Sequence, residues 1–436
     1  MRFLLIALVV FLTASQVFGF DPGPAPGVKI KNALLYLIVL GLLLRLTLDR
    51  GFRIQLPAVP ILYSIMIVYA LLTYLAIVLA IDYPRYDPVM AGFILKNSLF
   101  DQMLFFLVFF YGVRSNEDAL TILKVLLATW ALSHIFAVLD ATGMFHVGDI
   151  EQRRDGRVQG AIGESNQYGA FVALTLPAIV GLVTVTRGLW RVLWMVASVI
   201  TAAALVMTVS RGAFVGAVLA TIWGIWLFRR YMPARKLLVW AAGGVVGAVL
   251  AGAIVISLNF GHLIYQRIVG EASGDMVTTS SSRTEIWTNV LGVMFDTPLT
   301  LLTGFGWEAY STFPFRWATH NHYLAFFFNL GVIGLICSVL LVVIPVRTAN
   351  AAATYAQPEV RPMLISFAIG TAALAIAVFF VNLYTPWLYY WAYAGVCMRL
   401  AANALESQAY APAAVTTSRS RRVERARDPH GWTAAS

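Results

Sequence analysis

The stretch "FRWATHNHYLAFFFNLGVIGLICSVLLVVI", Phe315–Ile344, decides the fold class. It places an arginine and two histidines directly before a run that is long and apolar enough to cross a bilayer, which takes roughly 20 such residues. In lipid a segment of this kind must close its own backbone hydrogen bonds, and only a helix does so. About twelve runs of this character are present, near 3–19, 31–47, 57–81, 92–112, 119–138, 166–186, 190–208, 211–228, 237–257, 321–344, 363–381 and 385–402. With 60% hydrophobic and 12% charged residues in 436, and a mean hydropathy of +0.77, the chain has too little polar surface for a water-soluble fold. The expected fold class is therefore all-α: a polytopic integral membrane protein of about 12 transmembrane helices. Residues 1–402 form the membrane domain, with one larger outer loop at 258–320.

The first run, "MRFLLIALVVFLTASQVFG", reads as the first span, the alternative being a signal peptide with Arg2 as its basic region. In both cases residue 21 emerges on the far side. Lys and Arg accumulate on cytoplasmic loops. Placing the N-terminus inside puts Arg45, Arg50 and Arg53, Arg229, Arg230, Arg235 and Lys236, and the arginines of "SRSRRVERARD" on that side, with about two thirds of all 31 basic residues. Both termini are thus expected in the cytoplasm. Residues 403–436 read as a basic disordered arm near anionic lipid. No nucleic-acid-binding fold accompanies the arm, and the net charge of +10 needs no further partner. Cys337 and Cys397 fall inside apolar runs, as small buried hydrophobes do.

The informative basic residues are those on the other side. Arg153, Arg154 and Arg157 lie in "DIEQRRDGRVQGAIGESNQYG"; Arg211 lies in "TVSRGAF"; Arg267, Arg283 and Arg316 lie in the long outer segment. Arg211 has apolar neighbours on both sides, so its guanidinium stands at a membrane boundary with almost no loop around it, a costly position unless it is paired or in use. The arginine fork suits phosphate and carboxylate, and convergent arginines at a membrane surface point to a lipid-linked phosphate or diphosphate. Taken singly, each arginine also fits snorkelling or pairing with Asp155, Glu164 or Glu285.

Within the outer segment, "TTSSSRTEIWTNVLGVMF" places Arg283 in the first turn of an amphipathic helix that carries Ile286, Val290, Val293 and Met294 at helical spacing. Gly304 and Gly306 in "DTPLTLLTGFGW" predict tight backbone turns. His320 and His322 then stand at the mouth of span ten, on opposite faces if the helix has begun and on one face if the segment is extended. An imidazole near neutrality can accept a proton from a sugar hydroxyl, while an interfacial histidine bonded to backbone fits equally well. No HxxxH, HExxH, DxD or cysteine cluster supplies metal-ligand spacing, so no metal or cofactor is expected.

Together, "RVQGAIGESNQYGAFVALTLP", "SRGAFVGAVLA", "SSRTEIW", "LLTGFGW" and "THNHYLAFFFNLGVIGL", in this order over about residues 153–340, resemble the O-antigen ligase and O-antigen polymerase superfamily of bacterial inner-membrane, GT-C-like glycosyltransferases. The resemblance implies transfer of a glycan from undecaprenyl diphosphate on the periplasmic face, without metal and with inversion. The acceptor would be lipid A–core or another surface molecule for a ligase, or a further glycan for a polymerase of O-antigen, capsule or exopolysaccharide. Motif positions carry His320, Arg211 and Arg283 over as catalytic, and Arg157, Asn166 and Asn321 as substrate-binding. "ESN" at Glu164–Asn166 departs from the Asn-Pro-Asn usual in the family. A transporter or flippase of lipid-linked sugars also fits twelve helices, but the charges cluster at the outer boundary, with His134 and Asn329 the few strongly polar side chains well inside spans. The Gly- and Ala-rich run at 241–253 suggests close helix packing or oligomer contacts. The aromatics of "YTPWLYYWAY" are expected to be interface anchors.

Overall fold

In the computed structural model, residues 1–20, 29–48, 57–81, 83–143, 156–265, 283–315, 318–383 and 385–409 are described. Arg153, Arg154, Arg267, Arg316 and the arm from residue 410 onward lie outside them. The helices are α1 (Arg2–Val17), α2 (Ile30–Leu48), α3 (Ala58–Ala80), α4 (Pro88–Leu95), α5 (Asp101–Tyr111), α6 (Asn116–Ala141), α7 (Ser165–Val185), α8 (Gly188–Met207), α9 (Arg211–Phe228), α10 (Ala234–Ser257), α11 (Gly261–Tyr265), α12 (Arg283–Asp296), α13 (Leu299–Thr303), α14 (His322–Ala353), α15 (Arg361–Ala377) and α16 (Thr385–Ala409). One turn of π-helix, Lys96–Phe100, joins α4 to α5. Among the described residues nine helices are long and apolar enough to cross a membrane, with α4 to α5 counted as one; α1 and α15 are apolar but shorter. The last helix runs on through Ala409, so the segment after residue 402 begins as helix rather than as a disordered arm.

The bundle has a centre and a rim. α7 is 72% buried along its most apolar window and packs against α15, α8 and α9, while α15 also runs along α9 and α14. α16 lies against α5 and α6, and α1 packs along α6, where the Thr13 hydroxyl donates to that of Thr129 at 3.2 Å. This central position changes the role of the "YTPWLYYWAY" aromatics. Trp387, Tyr389, Tyr390, Trp391 and Tyr393 are buried, and their rings meet Tyr63, Phe106, Trp130, Phe171 and Phe367, edge-on or tilted except where Tyr390 stacks on Phe367, rather than facing a membrane interface. A helix enclosed by its neighbours gives its rings no lipid boundary to anchor. At the rim, α10 is only 11% buried along its apolar window. Gly243, Gly244 and Gly252 face open space, and the Gly/Ala run meets the rest of the chain along one side only, where Gly247 approaches Val199 of α8 and Ala251 is buried.

Two features place polar groups deeper in spans than the sequence suggests. The π-turn between α4 and α5 holds Lys96 against Asp101, with Nζ 2.8 Å from Oδ2. Asp101 is buried and also accepts from Asn32 Nδ2 at 2.9 Å and from the Tyr36 hydroxyl at 2.6 Å. The extra residue of a π-turn rotates the following side chains relative to an unbroken α-helix, and here it accompanies this closed network. The second feature is the break in α14 at Gly331, whose φ of 59° and ψ of −155° are non-helical. The loop after α13 enters this break: Phe305 N–H donates to the Phe328 carbonyl and Gly306 N–H to the Asn329 carbonyl, both at 2.9 Å. Asn329 turns its own Oδ1 to Tyr310 N–H at 3.3 Å, so it serves the loop rather than another helix. His134, by contrast, does bond between helices, to the Tyr168 and Thr175 hydroxyls of α7.

The close approach requires glycine on both sides. A Cβ on Gly331 would stand 2.2 Å from the Leu302 carbonyl oxygen, and one on Gly304 2.3 Å from that of Asn329. Both backbones have positive φ. The loop is further tied to α3 and the segment after it, because the hydroxyls of Tyr69, Tyr83 and Tyr86 donate to the carbonyls of Thr303, Phe305 and Trp307.

Gly331→Ala is expected to lower the unfolding midpoint steeply, since about 1–3 kcal/mol of backbone strain adds to a clash with backbone that cannot move aside. Asp101→Ala should cost about 3–5 kcal/mol by stranding Lys96, whereas Lys96→Met with Asp101→Leu should cost clearly less. Thermal unfolding of the purified protein in detergent, monitored by the tryptophans, measures all of these.

Candidate active site

The residues singled out in the sequence gather at one end of the bundle, where α7, α9 and α14 begin. Glu164 caps α7: its Oε1 accepts from Asn166 N–H at 3.0 Å and its Oε2 from Gln167 N–H at 2.7 Å. A carboxylate at a helix start satisfies backbone donors that have no partner within the helix. Asn166 gives its Nδ2 to Glu164 at 2.8 Å and receives the Arg157 guanidinium on Oδ1 at 2.9 Å. Arg157 is buried, and its Nε donates to the Thr208 carbonyl at 2.8 Å. Thr208 belongs to the turn between α8 and α9, in which Val209 has a φ of 49°; the turn delivers Arg211, exposed, as the first residue of α9. Arg157 and Asn166 thus brace the start of α7 against the turn that presents Arg211.

From the other side come α12 and the start of α14. Arg283 opens α12, as the sequence predicts, and Ile286, Val290 and Met294 bury one face of that helix with Leu324 and Phe328 of α14. Trp287 Nε1 donates to the Thr319 carbonyl at 2.8 Å, tying α12 to the residue before His320. The Thr319 hydroxyl lies 3.0 Å from Asn382 Oδ1, Asn321 Oδ1 caps α14 by accepting from Leu324 N–H at 3.0 Å, and His322 N–H donates to the Val378 carbonyl. Between these fixed points His320 has a φ of 47°, left-handed backbone that costs a non-glycine residue energy and persists only where its surroundings hold it.

This conformation separates the two histidines. His320 is half-buried and within electrostatic range of both Arg283 and Glu164. Burial first, and then the charge on Arg283, hold its imidazole below the usual value of 6.5, while Glu164 opposes them in part. His320 is accordingly neutral at neutral pH, with Arg283 beside it. His322 turns into the protein, its ring 4.9 Å from that of Phe326 and 5.1 Å from that of Trp387. Asn321 is buried by its capping role.

Several contributions were missed or underread in the sequence. Glu164 stood out only as a pairing partner for an arginine and as a departure from the family pattern, yet it both caps α7 and acts electrostatically on His320. Trp287 and Asn382 both hold Thr319, the residue before His320, and no motif announces such contacts. Glu308, in the docked loop, has left-handed backbone at φ 59°, and burial raises its carboxyl to about 7. Among the described residues no three His, Cys, Asp or Glu side chains come together to hold a metal ion.

The electrostatics have a measurable consequence. Peptide-resolved carbethoxylation, which modifies neutral imidazole, should report a His320 midpoint below the ordinary range. Arg283→Gln removes a positive charge and should move the midpoint up; Glu164→Gln removes a negative charge and should move it down. Unchanged midpoints in both variants would show that these charges do not act on His320.

No curated protein matches the chain. The family model described as O-Antigen ligase matches residues 196–339. That segment begins within α8 and ends within α14, so it holds Arg211, Arg283 and His320, while Arg157, Glu164 and Asn166 precede it. The chain is a multi-pass membrane protein whose residues 196–339 match the O-Antigen ligase family model.

Proposed function

We propose that the protein is an inner-membrane glycosyltransferase that moves a glycan from undecaprenyl diphosphate to lipid A–core or another surface acceptor on the periplasmic face. The match of residues 196–339 to the O-Antigen ligase model supports the coarse part of this reading, ligase- or polymerase-type transfer of a lipid-linked glycan. The observation that carries the rest is the meeting of His320, Arg283 and Glu164, with Arg211 braced nearby through Arg157 and Asn166. In this reading each of the twelve apolar runs spans the membrane in a GT-C-like arrangement, and both termini are cytoplasmic.

The chemistry assigns each group a task. The hydroxyl oxygen of the acceptor attacks the anomeric carbon from the face opposite the diphosphate, and the new carbon–oxygen bond forms as the old one breaks, inverting the centre. Neutral His320 accepts the hydroxyl proton; a base held neutral by burial and a neighbouring cation is ready at neutral pH. Negative charge grows on the departing diphosphate, and Arg211 and Arg283 stabilise it as fixed donors at a water-poor boundary. Arg157, Asn166 and Asn321 support the reaction by holding the starts of α7, α9 and α14, and no metal enters the scheme.

Two other readings use features of this chain. A polymerase would use the same donor chemistry with a glycan acceptor. A transporter of lipid-linked sugars would draw on the broken α14 and the Lys96–Asp101 pair, since broken helices and intramembrane charges mark transport pathways. The test separates them. In the native host, Arg211→Ala, Arg283→Ala and His320→Ala should each lower transfer by about 10²–10³-fold with the protein still present in the membrane. Polymer held on its lipid carrier marks a ligase, and single repeats at the surface mark a polymerase. Undiminished surface glycan in the three variants would overturn the catalytic assignment, and lipid-linked glycan retained on the cytoplasmic face would favour transport.

A further inference from the structure

At the end of the bundle opposite His320, the starts of α1 and α6 and the last turn of α2 border an open cavity of about 490 Å³ whose lining includes Arg2, Arg45, Arg114, Asp118, Phe3 and Gly112. The placement follows from α6, which begins at this cavity and whose far half carries His134 against Tyr168 of α7. Among the described residues of the lining are three guanidiniums and one carboxylate. Arg2 lies 2.9 Å from Asp118, which fixes one wall. Arg399 of α16 lies within electrostatic range of Arg114 and also of Glu406, which offsets its charge, and Asn403 Nδ2 donates to the Arg114 carbonyl, fixing the chain there. The described lining therefore carries a net positive charge at the level where α1 starts and α2 ends. Beside it the apolar surface continues: Phe3 and Leu4 of α1 and Leu43, Leu44 and Leu48 of α2 are all exposed.

We infer that this cavity is a binding site for the phosphodiester headgroup of an anionic phospholipid in the leaflet opposite the candidate active site, with the acyl chains lying along α1 and α2. Arginine forks take the two free oxygens of a phosphodiester in parallel hydrogen bonds. Basic pockets between transmembrane helices recognise such headgroups, and the exposed leucines give a lipid a hold that a soluble phosphate lacks. The site neither touches nor depends on the proposed transfer reaction.

The test uses the full chain in nanodiscs of phosphatidylcholine, alone or with a minority of phosphatidylglycerol, with retained lipid read by native mass spectrometry and stability by thermal unfolding. Phosphatidylglycerol is expected to be retained selectively and to raise the unfolding midpoint by a few degrees. Arg45→Gln with Arg114→Gln should reduce retention at least tenfold and abolish the rise. Arg229→Gln with Arg230→Gln, at the end of α9, should leave both unchanged. Arg45→Lys with Arg114→Lys keeps the charge and loses the fork, and should retain several-fold less lipid; this variant decides the matter if the glutamine pair fails to fold. Retention equal to the parent in the lysine pair, an equal rise with inorganic phosphate in place of the lipid, or an equal loss in the Arg229/Arg230 pair would each overturn the site.

Discussion

Everything in this fold answers to the rule that a peptide group in lipid cannot be left without a hydrogen-bond partner. The rule explains the helices, and it governs their exceptions more strictly. Where α14 breaks at Gly331, the freed carbonyls of Phe328 and Asn329 are taken by the N–H groups of Phe305 and Gly306. Non-helical backbone at such a depth is tolerated only when protein encloses it, and the docked loop supplies that enclosure. Two glycines at van der Waals limits make the approach possible, and three tyrosine hydroxyls from α3 and the segment after it hold the loop in place.

That anchoring carries through to the candidate site. The loop fixes the first half of α14, and α12 packs on the same half through Val290, Met294 and Phe328. His320 precedes that helix, in a backbone conformation that would relax if Trp287, Asn382 and the Val378 carbonyl did not fix its neighbours. The half-helix, the braced turn at Arg211 and the cap at Glu164 form one rigid frame. Such preorganisation is what makes donors and a base effective, since groups that must reorient during reaction lose most of their advantage.

The electrostatics divide the molecule into separate theatres. One end gathers Arg211, Arg283, Glu164 and His320; the other gathers Arg2, Arg45, Arg114 and Asp118; between them lies the closed Lys96–Asp101 network. The middle pair tempers the argument from charge location alone, because a span with an internal ion pair is not uniformly apolar. Its three-way satisfaction of Asp101 supports a packing role, in which the carboxylate joins α2 to the π-turn.

Much of this was legible in the amino-acid order. Hydrophobic run length set the helices, since lipid leaves a long apolar segment one conformation, and their observed bounds fall within a few residues of the runs for nearly all of them. The buried face of α12 at Ile286, Val290 and Met294 followed from helical spacing. What lay beyond reach were choices between partners. Whether "YTPWLYYWAY" meets lipid or other rings depends on which helices surround α16, and whether Gly244 packs depends on what stands opposite α10. Which of His320 and His322 faces Arg283 is decided by a single left-handed residue, held by contacts from segments more than thirty and sixty positions away in the chain. Local order determines which segments are helices because that balance is struck within each segment; it cannot determine which side chains meet, because that depends on the packing of all of them at once.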